Sequence, residues 1–231
     1  MQFKTLHSWD LSAQAAVALQ KELAGQVSLC DDLPTPVERV AGADVSYRRS
    51  GRQLHAAVVV LDYGSMAVLE TATASGEVAF PYIPGLLSFR ELPFLLQAFQ
   101  KLETVPHAIL ADGQGIAHPR RLGLASHLGL WLDLPTIGCA KSRLCGEHEE
   151  PGLKRGDWTP LCVDGGILGR VVRTKDNVRP LYLSPGHKID LQSATDIVVH
   201  CCRGYRLPEP TRHAHLLSNR VRLESEKRSE K

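Results

Sequence analysis

Hydrophobic positions recur at three- and four-residue intervals in "SWDLSAQAAVALQKEL", at Ala16, Leu19 and Leu23, behind a run of cap-type residues. That spacing predicts an amphipathic helix, and "DDLPTP" breaks it. Three strand-like runs follow, Arg39–Tyr47, Leu54–Tyr63 and Met66–Val78, with only the turn segments "RRSGRQ" and "GS" between them. Such short connections predict an antiparallel meander. Beyond the proline-bracketed stretch "PYIPGLLSFRE", the segment "FRELPFLLQAFQKLE" spaces Phe89, Leu92, Leu96 and Phe99 as one face of a helix. "HAILADG" reads as a short buried strand, a helix is expected within Arg121–Trp131, and "LPTIGCA" reads as a further strand. "VDGGILGRVVRT" and "PLYLSPGHKI" predict a strand pair, and "LQSATDIVVHCCRG" a helix ended by Gly204. The charged tail, roughly residues 220–231 and including "VRLESEKRSEK", is expected to be disordered. No repeat or linker divides the chain, so residues 1–231 are expected to form a single domain.

Three antiparallel strands followed by helix–strand–helix–strand predict an α/β fold with a central mixed sheet flanked by helices. This is the order of an RNase H-like fold, although pattern alone leaves other mixed sheets open.

Composition narrows the class. In 231 residues, 43% are hydrophobic and 23% charged, an ordinary globular mix. The net charge of +2 carries no bulk basic excess, but a basic face can coexist with an acidic site. The six cysteines include no CxxC, their spacing with histidine fits no structural zinc pattern, and the N-terminus has no apolar leader core. Reduced thiols, no zinc and a cytoplasmic location are expected. Apolar runs such as "AAVVVL" are too short to cross a bilayer, so no membrane partner is expected.

Candidate chemistry sits on three carboxylates from separate elements. In "VAGADVSY" the strand period puts Gly42, Asp44 and Ser46 on one face and Ala41, Ala43, Val45 and Tyr47 on the core face. Asp44 therefore has small neighbours that leave room for something to approach, or it is simply a solvated aspartate on an outer face. Asp112 ends a strand before "GQG", where ligands gather in such sheets, or serves an Asp-Gly turn. Glu91 completes a capping-box pattern with Ser88. Pro93, though, is better suited to the first helical position, which would leave Glu91 just before the helix. If they converge, the three carboxylates suit a hard divalent cation and phosphodiester hydrolysis. Lys141 follows a strand and stands either near that site or in solvent. Basic stretches at His118–Arg121, Lys141–Leu144 and Gly204–His215 suit phosphate contacts, with a solvated surface as the ordinary alternative for each. A tyrosine between two prolines loses little entropy on ordering, so Tyr82 can act as a rigid wedge in a base stack or sit in a plain turn.

Taken in order, "VAGADVSY", "PYIPGLLSFRE", "ADGQGIAHPRRLGLASHLGL", "PTIGCAKSRLCG", "SPGHKI" and "GYRLPEPTR" strongly resemble the endonuclease V family of deoxyinosine 3′-endonucleases. The resemblance runs from about Val40 to Leu217. It implies an RNase H-like fold and a Mg²⁺-dependent site, with Mn²⁺ able to substitute. Asp44, Glu91 and Asp112 correspond to the metal-binding carboxylates and Lys141 to the active-site lysine. Pro81, Tyr82, Ile83 and Pro84 correspond to the strand-separating wedge, and His118 to a contact with the DNA backbone. His215 falls where relatives carry Asp or His, and imidazole is a poorer Mg²⁺ ligand than carboxylate. The implied substrate is DNA with a deaminated base, chiefly hypoxanthine, cut at the second phosphodiester 3′ to the lesion to leave 3′-hydroxyl and 5′-phosphate ends without base excision. A base pocket is expected around Leu87, Gly113 and Gly123, with Leu144 as an apolar wall, offering backbone N–H groups to the O6 acceptor of hypoxanthine. Inosine-containing RNA is the alternative substrate, and a non-cutting damage-binding module the alternative class. No obligate protein partner is implied, and a monomer is expected.

Overall fold

The computed structural model describes residues 1–3, 5–48 and 51–229. Helix α1 (Ala13–Ala24) starts where Ser12 Oγ accepts the Ala15 N–H at 3.2 Å. The strands β1 (Arg39–Tyr47), β2 (Gln53–Asp62) and β3 (Val68–Glu77) form the expected antiparallel meander. Of the first predicted turn, Arg49 and Ser50 lie outside the described residues. Then come α2 (Leu87–Gln100), β4 (Ala108–Ala111), α3 (Leu124–Leu132) and β5 (Thr136–Ala140). The C-terminal part holds β6 (Trp158–Val163), β7 (Gly166–Val172), β8 (Leu181–His187), α4 (Leu191–His200) and α5 (Glu209–Ser229).

One eight-stranded sheet runs in the order β3-β2-β1-β4-β5-β8-β7-β6. Its centre, β1, β4 and β5, is parallel, and the outer pairs are antiparallel. This is the mixed α/β sheet of the RNase H-like order. Both faces are covered. Ala41, Ala43, Ala56 and Val58 pack with Leu92, Leu95, Phe99 and Leu128 of α2 and α3. Val40, Val59, Leu110 and Ile137 pack with Ile197, Val198 and Ala214 of α4 and α5.

Five local expectations change. Pro93 lies inside α2, not at its first position, so Glu91 belongs to the helix rather than to a preceding loop. The capping box does not form either, because Ser88 sits within the helix and its hydroxyl pairs with His127 Nδ1 at 3.0 Å. Ser88 through Leu92 are all buried, and this packing offsets the backbone hydrogen bond that a proline removes. Helix α4 ends at His200, before Gly204, which adopts a φ of +86° in the following bends. The charged tail, expected to be disordered, continues α5 as helix through Ser229, with Arg222 bonded to Glu226 and to Ser46 Oγ. Finally, the room beside Asp44 is filled by α5. A Cβ on Gly42 would lie 1.9 Å from the Pro210 carbonyl oxygen, so only glycine lets the start of α5 sit on β1.

Candidate active site

The polar face of β1 meets the inner face of α5. Asp44, 6% exposed, accepts hydrogen bonds on Oδ2 from Ser218 Oγ at 2.6 Å and from His215 Nδ1 at 3.2 Å. One turn on, Ser46 Oγ donates to Asn219 Oδ1 at 2.9 Å. His215, Ser218, Asn219 and Arg222 form one stripe because residues three and four apart share a helix face. Parallel pairing of β1 with β4 puts Asp112 just beyond the end of β4, where its N–H donates to Ala43 O at 3.0 Å. Lys141, just past the end of β5, donates to Asp112 Oδ2.

Asp44, Asp112 and His215 each offer a ligand atom, all within 4.8 Å of one another. Glu91 stands outside this group, contrary to the expected trio of carboxylates. It approaches from α2, in the layer opposite α5, and its reach is set by that helix. It is still part of the same electrostatic site. Burial, and then the charges of Asp44 and Asp112, raise its carboxyl well above the usual range. No hydrogen bond reaches that carboxyl among the described residues. Burial and the negative charge of Asp44 push Asp112 up to about 6 despite Lys141. Asp44 is also opposed by burial, but hydrogen bonds from His215 and Ser218, one shared with Asp112, and the Lys141 charge hold it below its usual range. Two aspartates, an imidazole and a nearby buried carboxyl lacking a donor make an oxygen-rich, proton-retaining donor set. Such a set fits a hard divalent cation.

Beside the cluster lies a cavity of about 380 Å³. Leu87, Gly113, Gly123 and Leu144 all line it, together with Tyr82, Pro84, Asp112, His118 and Lys141. The expected donors change, however. Gly113 N–H is bonded to Ala111 O at 2.9 Å and Gly123 N–H to Gly115 O at 3.0 Å. Leu87 and Leu124 instead open α2 and α3, neither of which has a side-chain cap. Their N–H groups have no partner within their own helices. Two positive helix ends thus border the cavity.

The turn Pro81–Pro84 projects from the rim. Tyr82 is 61% exposed, while Ile83 packs against α1 and the Phe80–Leu86–Phe89 cluster. His118 is buried and bonded within the protein, not turned outward as a backbone contact would be. Its Nδ1 accepts the Arg120 N–H at 3.1 Å and its Nε2–H donates to Gly85 O at 3.1 Å. Burial and the neighbouring Arg120 charge hold its pKa down to about 4. A second cavity, of about 500 Å³, adjoins the first through Lys141, Ser142 and Arg143 and also bears Arg173, Arg179 and Arg206. Arg206 is tied to the carbonyls of Lys141, Arg179 and Pro180, and Arg173 to those of Gly152, Val178 and Pro151.

Ser218 was invisible to sequence reading because its role depends on α5 being a helix. The helical spacing of His215, Ser218, Asn219 and Arg222 is the signal that would have revealed it.

The chain matches the Endonuclease V family over residues 21–216. It is 53% identical to an Endonuclease V of Dehalococcoides mccartyi over 216 residues, covering 94% of this chain and 96% of the relative. Its fold is similar to the crystal structure of the Endonuclease V of Streptomyces avermitilis, with a TM-score of 0.88, 44% identity and coverage of 94% and 96% of the two chains. It is also similar to Ciona intestinalis Endonuclease V in complex with a 24mer DNA containing an inosine followed by a ribo-adenosine. There the TM-score is 0.78 and the identity 31%, with 88% of this chain and 95% of the other covered.

Proposed function

The chain belongs to the endonuclease V family, and from that membership we propose that it is a divalent-cation-dependent endonuclease acting on nucleic acid that contains a deaminated base, chiefly deoxyinosine. The observation that carries the reading is the Asp44–Asp112–His215 cluster, built on a buried Asp44, beside a base-sized cavity that shares Asp112 with it and is also lined by Lys141. The Ciona relative's complex with inosine-containing DNA supports the substrate class.

Asp44, Asp112 and His215 would hold the cation, with Glu91 facing it from α2. When bound, Mg²⁺, or Mn²⁺ in its place, supplies charge neutralisation at the phosphate and an acidified water as nucleophile. Ser218 and His215 hold the Asp44 carboxylate ionised and oriented. Lys141 sets a positive charge beside the scissile phosphate. The rigid Tyr82 turn, Pro81 to Pro84, fills the gap left when the lesion base leaves the stack, a step costing a few kcal/mol. The extruded base enters the cavity, where the Leu87 and Leu124 N–H groups meet the O6 acceptor of hypoxanthine. Adenine presents an amino donor at that position, so donor would face donor. Leu144 closes the pocket, and the arginine-lined second cavity takes flanking phosphates. His118 acts by supporting the wedge turn. We further propose that the cut falls at the second phosphodiester 3′ to the lesion, that the protein works as a monomeric single domain in the cytoplasm, and that it leaves the base in place. No helix among the described residues is long and apolar enough to cross a membrane.

A second reading, inosine-specific cleavage of RNA, draws on the ribo-adenosine that follows the inosine in the Ciona complex. Labelled duplexes with one deoxyinosine, matched adenine controls and single-stranded inosine RNA, each with Mg²⁺ or EDTA, separate the readings. The expected product is a Mg²⁺-dependent cut of deoxyinosine DNA, one nucleotide beyond the bond directly 3′ to the lesion. Cutting of RNA alone would move the assignment to the ribonuclease, and cutting of neither would leave a binding module.

A further inference from the structure

Helix α1 contributes one polar side chain to an otherwise apolar contact. It packs through Ala16, Val17 and Leu19 against Phe80, Ile83 and Leu86 beneath the wedge turn. On that buried side sits Gln20, 1% exposed, where a leucine would satisfy packing alone. Its amide is fully used. Nε2 donates to Gly85 O at 3.0 Å and to Leu122 O at 2.6 Å, and Oε1 accepts from Arg120 Nε. The orientation is unambiguous, because two carbonyls must face the NH₂ and one N–H donor must face the oxygen.

The two carbonyls belong to separate segments of the chain that both line the base cavity. Gly85 closes the turn that carries Tyr82. Leu122 precedes Gly123 and the first N–H groups of α3. The same Gly85 oxygen also accepts from Arg120 Nη2 at 2.8 Å and His118 Nε2 at 3.1 Å. Gly85 has a φ of +79°, and a Cβ there would lie 2.6 Å from Arg120 Nη2. No side chain fits between the turn and its clamp.

We infer that Gln20 is a specificity-determining positioning residue: one amide ties the wedge turn to the segment that leads into α3 and so sets the spacing between the donors at the starts of α2 and α3. This rests on the deaminated-base reading above. A purine meets both the Leu87 N–H and the Leu124 N–H only at one separation, so a slack tie admits adenine in shifted poses. Gln20 touches no reacting atom, and the metal cluster lies outside its bonds.

Single-turnover kcat/KM is measured on duplexes with deoxyinosine or deoxyadenosine at one position, for wild type, Gln20→Met and Gly85→Ala, with a Mg²⁺ titration of each. Methionine keeps the length and removes every hydrogen bond. Gly85→Ala strains the same contact from a half-exposed loop, so it reports even where a core substitution unfolds the protein. Both variants are expected to lose roughly tenfold on deoxyinosine, mainly through KM, and to narrow the inosine-to-adenine ratio by a similar factor while the Mg²⁺ midpoint stays put. An unchanged ratio in both, or equal losses on both duplexes that follow a fall in Tm, would overturn the inference alone. A wild type that cuts no inosine substrate would overturn the underlying reading and the inference with it.

Discussion

At the scale of single residues, the site is a set of acids held in different protonation states by their surroundings. Asp44 is kept ionised by hydrogen bonds, whereas burial pushes Asp112 and Glu91 toward the protonated form, helped by the charge of Asp44 at Asp112 and by the charges of Asp44 and Asp112 at Glu91. The Asp112 carboxyl, at about 6, binds a proton more tightly folded than unfolded. Its effect on the metal-free protein is therefore to lower stability as pH rises from the ordinary aspartate range through about 6. Asp112→Asn is expected to raise the metal-free Tm at pH 8 relative to wild type, on the order of 2–4 °C for each kcal/mol relieved, while cutting falls by about a hundredfold or more. Thermal scans with and without Mg²⁺, beside a binding assay on inosine DNA, check both; an unstabilised but active variant would remove Asp112 from the site. His118 has the opposite sign. Its folded pKa is depressed to about 4, so the unfolded chain takes up the proton first and stability falls as pH drops from about 6.5 toward 4. Nitrogen NMR should find its Nε2–H tautomer unchanged between pH 5 and 8, since Arg120 N–H occupies Nδ1. Asp44, Asp112 and Glu91 were all legible in the sequence as acids on separate elements. Their unequal environments were not, because Ser218 and His215 reach Asp44 from more than 170 positions away.

Among elements, β1 was legible to the residue because small and apolar side chains alternate along it. Two elements escaped. Strand β6 carries Pro160 and an exposed Trp158 at the sheet edge, where a proline removes no needed ladder bond. Helix α5 is so polar that its sequence reads as a solvated basic tail. Its seat on β1 at Gly42, with Ala214 and Leu217 packed in the core beneath, makes it an element of the core. Gly42→Ala puts a methyl against the Pro210 backbone and is expected to lower Tm on the order of 5–10 °C. It should also weaken divalent-cation binding, by lifting His215 and Ser218 from Asp44. Calorimetry of Mn²⁺ binding beside a melting curve measures the two together, and a variant with wild-type values would mean that α5 does not depend on this contact.

On the scale of the whole molecule, the parallel centre of the sheet gathers the chemistry. Asp44 on β1, Asp112 after β4 and Lys141 after β5 converge because these three strands are adjacent and run the same way. The wedge and the α2 and α3 ends border the cavity, and the arginine-lined hollow adjoins it through Lys141, Ser142 and Arg143. Net charge hid this arrangement, since a total of +2 does not reveal an acidic cluster beside an arginine-lined hollow. Arg179 lines the second cavity without a side-chain hydrogen bond of its own among the described residues. Arg179→Ala should weaken binding uniformly across sequences and reduce the salt slope of log affinity by about one. An unchanged slope would take phosphate away from that cavity.

The most direct measurement is anomalous scattering from a crystal of the full chain with Mn²⁺ and a duplex bearing one deoxyinosine. A manganese peak bonded to both Asp44 and Asp112 is expected, with Tyr82 in the vacated stack position and the hypoxanthine ring between the first N–H groups of α2 and α3. A metal bound away from the two aspartates, or a lesion base left stacked outside the cavity, would contradict this expectation.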